Sequence, residues 1–154
     1  MVEILSPAGD FESVVAATRS GANAVYLGYG NFNARRNAEN FNAETLKSTI
    51  EYCHIRGVKV YLTLNTLVFD AEIDSALSVA LCAAKCGVDA FIVQDLGLAR
   101  VLKNALPEIA LHASTQLSVH SESTLFTLKN MGFKRVVVAR EMDKNPDLLI
   151  AVQP

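Results

Sequence analysis

Hydrophobic and polar positions along the chain switch repeatedly between two periods. Four segments share one layout: Gly21-Ala22-Asn23-Ala24-Val25-Tyr26-Leu27, Gly57-Val58-Lys59-Val60-Tyr61-Leu62, Gly87-Val88-Asp89-Ala90-Phe91-Ile92-Val93 and Gly132-Phe133-Lys134-Arg135-Val136-Val137-Val138. Each is a Gly, a short connection and a nearly continuous apolar run. Such a run, without in–out alternation, suits a strand covered on both faces, as in a parallel sheet. The Gly suits the left-handed position just past a helix end. Helical spacing fills the intervals: Phe11, Val14, Val15 and Thr18 after the N-cap candidate Asp10; Leu46, Ile50 and Cys53 after Asn42; Ile73, Ala76, Leu77, Ala80, Leu81 and Ala84 after Asp70. Leu98, Val101 and Leu102 mark a fourth helix, and Leu125, Phe126 and Leu128 a fifth. Strands are expected over 2–5, 24–27, 58–64, 90–93, 110–112 and 135–139.

Alternating strands and helices make an α/β chain with a parallel sheet, because right-handed crossovers place the helices outside it. A doubly wound sheet would announce a dinucleotide site by Gly-x-Gly-x-x-Gly after the first strand. That turn reads Ser6-Pro7-Ala8-Gly9-Asp10 instead. The remaining architecture is a parallel (β/α) repeat forming a partial TIM-type barrel. A complete (β/α)8 barrel takes about 250 residues, against 154 here. The expectation is therefore a single domain over 1–154, the N-terminal part of a barrel that ends before closure. Asn145-Pro146 reads as the start of a sixth helix.

The barrel reading selects candidate chemistry, since such a site is built from the segments following each strand. These hold Ser6 and Gly9; Arg35, Arg36 and Glu39 in a long loop; Asn65 and Thr66; Gln94 and Asp95; His112, Ser114, Thr115 and Gln116; and Arg140 with Glu141. His112, Arg140 and Glu141 are the candidates for catalysis. Ser6, Gly9, Arg35, Arg36, Asn65, Gln94, Asp95, Ser114 and Gln116 are the candidates for holding substrate. Adjacent arginines suit a carboxylate or phosphate through charge-assisted bonds, or they are solvated or pair with Glu39. His112 and Ser114 are spaced to share a strand face. They then form either a base–nucleophile pair or a hydrogen-bond network at the barrel mouth. Asp95 either joins Glu141 in acid–base work or caps the next helix. His54 and His120 read as surface residues.

Composition narrows the classes. A net charge of −2, with 51% hydrophobic and 19% charged residues, describes a globular domain and not one held to nucleic acid by bulk positive charge. No charged stretch followed by an apolar one opens the sequence, and no apolar run reaches membrane length, so neither a secretory leader nor a membrane span is expected. Three cysteines, an odd number in a chain without a secretory leader, point away from a disulfide framework and toward a reducing cytoplasm. Cys82 and Cys86 share a helix face but lack further ligands nearby in sequence, so they and Cys53 read as structural filler and no metal site is expected.

The strand-end residues also carry a resemblance. Glu3-Ile4-Leu5-Ser6-Pro7-Ala8-Gly9-Asp10 and Gly21 to Gly28 resemble the opening of the collagenase-like peptidase U32 family. So, in order, do Asn33-Ala34-Arg35-Arg36-Asn37-Ala38-Glu39-Asn40-Phe41, Thr63-Leu64-Asn65-Thr66, Ile92-Val93-Gln94-Asp95-Leu96-Gly97, Leu111-His112-Ala113-Ser114-Thr115-Gln116 and Val138-Ala139-Arg140-Glu141-Met142. The likeness covers about residues 2–142 and looks nearest to the ribosomal-RNA-hydroxylation branch. It implies oxygen-independent hydroxylation of an rRNA or tRNA base, or a peptidase of undefined catalytic type. It also implies a 4Fe–4S cluster in full-length members, held by cysteines downstream of the matched segment; Cys53, Cys82 and Cys86 do not match them. With no cofactor of its own, this chain is expected to be inactive alone. RNA or protein substrates, no membrane, and self-association through unclosed sheet edges complete the expectation.

Overall fold

A computed structural model describes residues 2–34 and 41–139. Six strands, β1 (Leu5–Pro7), β2 (Ala24–Gly28), β3 (Lys59–Leu64), β4 (Ala90–Val93), β5 (Ala110–Ala113) and β6 (Phe133–Val136), alternate with five helices, α1 (Phe11–Arg19), α2 (Ala43–His54), α3 (Ile73–Cys86), α4 (Leu96–Ala105) and α5 (Glu122–Asn130). The strands form one sheet in chain order, every neighbouring pair parallel. This is the α/β repeat of a TIM-type barrel. β1 and β6 are the sheet's edges among the described residues.

Local chemistry explains where the helices begin. Asp10, Asn42, Asp95 and Ser121 each accept a hydrogen bond from the main-chain N–H three residues on. That satisfies one of the donors a helix start leaves unpaired. The four repeat glycines all have positive φ, from 72° at Gly57 to 96° at Gly87. At Gly57 no other group lies within 4 Å of where a Cβ would sit, so the backbone angle alone calls for glycine there.

Two apolar layers result. The larger lies between sheet and helices: Val25, Leu27, Leu62, Leu64, Phe91, Val93 and Leu111 pack against Leu46, Ile50, Ala76, Ala80, Leu98 and Leu102. The smaller lines the sheet's other face, the lumen, with Ala24, Tyr61, Ala90 and Ile92, flanked by Leu5, Tyr26 and Ala110.

The boundaries differ from expectation at both edges. β1 lies at Leu5–Pro7 instead of 2–5, leaving Val2 at 88% and Ile4 at 58% exposure. Asn23 explains the delay: its Oδ1 accepts from Ile4 N at 2.8 Å and its N–H donates to Ile4 O at 2.9 Å, so this stretch leads into the ladder from outside it. β6 begins at Phe133 and ends at Val136, after a register shift beside Leu111 and His112. A 3-10 turn, Asp70–Glu72, precedes α3, whose deepest residues are Ala76, Ala80 and Ala83. Leu81 and Phe126, assigned inward by spacing, are exposed. Cys53 is buried, but Cys82 and Cys86 are only half-buried. The expected sixth helix lies outside the described residues.

Candidate functional site

Inward-pointing residues give the lumen a floor, where strands begin, and a mouth, where they end. The floor is charged. Glu3 Oε1 accepts hydrogen bonds from Tyr61 Oη at 2.8 Å and Arg135 Nη1 at 2.6 Å, with Lys59 Nζ 3.8 Å from Oε2. The Arg135 hydrogen bond holds the Glu3 carboxyl below its ordinary value against the opposing effect of burial, and Tyr61 adds to the lowering. Burial, then the bond to Glu3, pushes the Tyr61 hydroxyl up to about 12. Glu3 leads into β1 and Arg135 lies on β6, so the pair spans the two edges of the sheet.

His112 stands between floor and mouth. Its ring meets Tyr61 edge-on, centroids 4.7 Å apart, and it is buried. Its Nδ1 is enclosed without a hydrogen-bond partner. Burial first, then nearby Arg135, pushes its pKa down to about 4, so the imidazole is neutral at pH 7.

At the mouth, the described residues Thr63, Asn65, Gln94, Ser114 and Gln116 are neutral. Thr63 Oγ1 donates to Leu27 O at 3.0 Å, and Asn65 Oδ1 accepts from Ala34 N at 3.0 Å. Ser114 is buried, and its Oγ accepts from Gln116 N at 3.3 Å. Gln94 Nε2 reaches Gln116 O at 3.5 Å, while the Gln116 side chain belongs to an exposed residue. The structure thus joins Gln94, Ser114 and Gln116 above His112, and Asn65 to the start of the long loop. No hydrogen bond links His112 to Ser114, so the base–nucleophile pairing is absent; the Ser114 oxygen serves the turn after β5. Asp95 caps α4 through Leu98 N at 2.8 Å, the alternative weighed above. Ser6 makes one long contact, to Pro7 O at 3.5 Å, and Gly9 sits just before the Asp10 cap of α1; neither is hydrogen-bonded to the Gln94–Ser114–Gln116 group. Arg35, Arg36, Glu39, Arg140 and Glu141 lie outside the described residues.

Two contributors escaped the reading by strand ends. Asn33 is buried, donates from Nδ2 to Gly30 O at 2.9 Å, and lies against Gly28 so closely that a Cβ there would stand 2.7 Å from its Cγ. The floor residues Glu3, Tyr61 and Arg135 precede strand ends. A charged residue within the β6 strand, whose Phe133 and Val136 are apolar, was the available signal for Arg135. An open depression of about 650 Å3 lies beside the mouth, between the loops after β2 and β3, rimmed by Phe32, Thr66, Leu67, Phe69, Glu72 and Ser75. None of the expected site residues line it apart from the neighbouring Thr66.

Among the described residues no group of three or more His, Cys, Asp or Glu is arranged to hold a metal, so a four-cysteine cluster does not fit here. No described helix is long and apolar enough to cross a membrane. What the described mouth residues offer is neutral donors and acceptors around a neutral imidazole, suited to reading the edges of an uncharged planar group.

Residues 9–146 match the sequence model of peptidase family U32. The chain is 38% identical over 142 residues to the 23S rRNA 5-hydroxycytidine C2501 synthase of Escherichia coli, covering 92% of this chain and 21% of that protein. It is 37% identical to a collagenase of Porphyromonas gingivalis, covering 92% and 34%, and 35% identical to tRNA hydroxylation protein P of Helicobacter pylori, covering 94% and 34%. The chain therefore spans a fifth to a third of the length of these curated relatives. A solved U32 peptidase structure superposes with a TM-score of 0.77 at 13% identity, covering 99% of this chain and 64% of that one, which establishes the shared fold.

Proposed function

Since the chain belongs to peptidase family U32, we propose that it is the N-terminal barrel segment of an enzyme that hydroxylates an rRNA or tRNA base without molecular oxygen. The observation that carries this reading is a group of neutral polar side chains at the mouth. Gln94, Ser114 and Gln116 gather over a buried, neutral His112 with no hydroxyl–imidazole pair. A base flipped into a pocket is read by hydrogen bonds to its edges, and amide and hydroxyl side chains supply both donors and acceptors for that. Two relatives whose names specify RNA hydroxylation support the substrate class.

In this reading Asn65, Gln94 and Gln116 orient the base. Arg35 or Arg36 holds an anionic group, and Arg140 with Glu141 completes the mouth. Ser6 and Gly9 border it at β1, and Asp95 sets the angle of α4. A 4Fe–4S cluster belongs, in this proposal, to cysteines of a longer protein outside residues 1–154. β1 and β6 are then the edges that further strands of that protein cover; in their absence the same edges pair two copies of this chain. The cytoplasm, where rRNA and tRNA reside, is the proposed location.

The test compares nucleoside masses of rRNA and tRNA from cells with and without the intact gene. The expected result is one nucleoside that loses an oxygen when the gene is deleted and regains it on complementation. Identical nucleoside profiles would overturn the proposal. A peptidase is the alternative, supported by the family's own name and by relatives named as a collagenase and a protease. A general base works best with a pKa near the operating pH, and His112 at about 4 falls well below it. Release of peptides from gelatin by the intact protein would reinstate that alternative.

A further inference from the structure

On the helix side of the sheet, three side chains with polar or sulfur groups meet between the end of β2, α2 and α3. Cys82 and Cys86 lie one helical turn apart on α3, both half-buried and both free. The Tyr29 hydroxyl, just past β2, is 3.3 Å from Cys82 Sγ. Cys86 Sγ points to the carbonyl of Ala43, the first residue of α2, at 3.8 Å. The two thiols interact with each other, and Lys47 of α2 lies near Cys86.

From this arrangement we infer that Cys82 and Cys86 form a two-sulfur site for a soft monovalent metal ion of the cuprous class, with Tyr29 donating its hydroxyl hydrogen bond to the Cys82 sulfur. Thiolate ligands select such ions over hard cations. Geometry favours a bridging ion over a disulfide. Residues four apart on a helix hold their Cβ atoms about 5–6 Å apart, whereas a disulfide needs about 3.5–4.5 Å. A disulfide would therefore require α3 to unwind. A metal with bonds of about 2.3 Å to each sulfur spans the gap with the helix intact. Binding displaces both thiol protons to solvent and leaves the metal's oxidation state unchanged: one cation enters, two protons leave, and two sulfur–metal bonds form. Because both thiol protons must leave, affinity rises with pH. Cys53, buried on α2 at 0% exposure, takes no part.

The test titrates the reduced chain with cuprous ion under anaerobic conditions against a coloured chelator. The expected result is one equivalent withheld from the chelator by the parent and by Cys53→Ser, and none by Cys82→Ser or Cys86→Ser. Tyr29→Phe should weaken retention about 10-fold, as expected for loss of an outer hydrogen bond to a metal ligand. A second readout needs no variant: bound cuprous ion should protect Cys82 and Cys86, and not Cys53, from alkylation measured by peptide mass. Failure to withhold metal, or retention that survives Cys82→Ser, or equal alkylation of Cys82 and Cys86 with and without metal, would overturn the site.

Discussion

At the floor of the lumen one carboxylate, Glu3, takes hydrogen bonds of 2.8 Å from Tyr61 and 2.6 Å from Arg135. At the mouth, Gln94 and Ser114 reach only main-chain atoms of Gln116, at 3.5 and 3.3 Å. The floor is charged, short-bonded and spans the sheet's two edges. The Gln94–Ser114–Gln116 group at the mouth is neutral and long-bonded, with capacity left for a ligand. Hydrogen bonds to charged groups contribute roughly twice what neutral ones do. The floor is thus where the lumen gains rigidity, and the mouth is where polar groups remain to be satisfied by something that binds.

His112 couples the two regions, and its response to acid is the largest effect expected. Its folded pKa of about 4 lies below the ordinary 6.5, so the unfolded chain takes up the proton first as pH falls. The stability that neutral His112 contributes is full above pH 6.5 and is lost progressively as pH falls toward 4, reaching about 3 kcal/mol in all. Urea unfolding between pH 7 and 4.5 should show this slope. His112→Phe, which keeps an aromatic ring against Tyr61, should flatten it; an unchanged slope would separate His112 from the coupling.

Arg135→Met comes next. It leaves Glu3 with its remaining partners, Tyr61 and the distant Lys59, in a half-buried setting. The expected loss is about 2 kcal/mol, below that of a fully buried pair because side chains here retain 22–35% exposure. Glu3→Gln combined with Arg135→Met should cost less than the two changes summed. Strict additivity in the double-mutant cycle would mean that the floor does not act as a unit.

Gly28→Ala sharpens the contrast from the mouth side. The added methyl meets the buried Asn33 side chain at 2.7 Å, so the loop after β2 must shift, at about 1–2 kcal/mol. Asn33→Ala in the same background should relieve that clash; calorimetric melting would show it. The smallest stability effect belongs to Gln116→Ala. An exposed side chain such as this one changes stability by no more than about 0.5 kcal/mol, while the proposed hydroxylation by the intact protein should fall.

The architecture was legible because the apolar runs, the repeat glycines and the caps at Asp10 and Asn42 are local signals that all point to one repeat. The edges were less so: Val2 and Ile4 look like strand residues, yet the strand starts at Leu5 because Asn23 holds Ile4 outside the ladder. Leu81 and Phe126 show the limit of helical spacing, since an apolar residue beside a stripe can face solvent at no large cost. Residues after strands located Gln94, Ser114 and Gln116. The floor stayed hidden because Glu3 and Arg135 meet across 132 positions of sequence. A register shift in β5–β6 sets which side chains of β6 face inward, and a bulge of that kind leaves no local mark.

The contrast between the charged floor and the neutral Gln94–Ser114–Gln116 group meets at one imidazole, and NMR titration of the His112 ring in the folded chain tests it most directly. A midpoint near 4, moving upward in Arg135→Met, is the result predicted. A midpoint at or above 6.5 would place a protonatable base at the mouth and contradict the account.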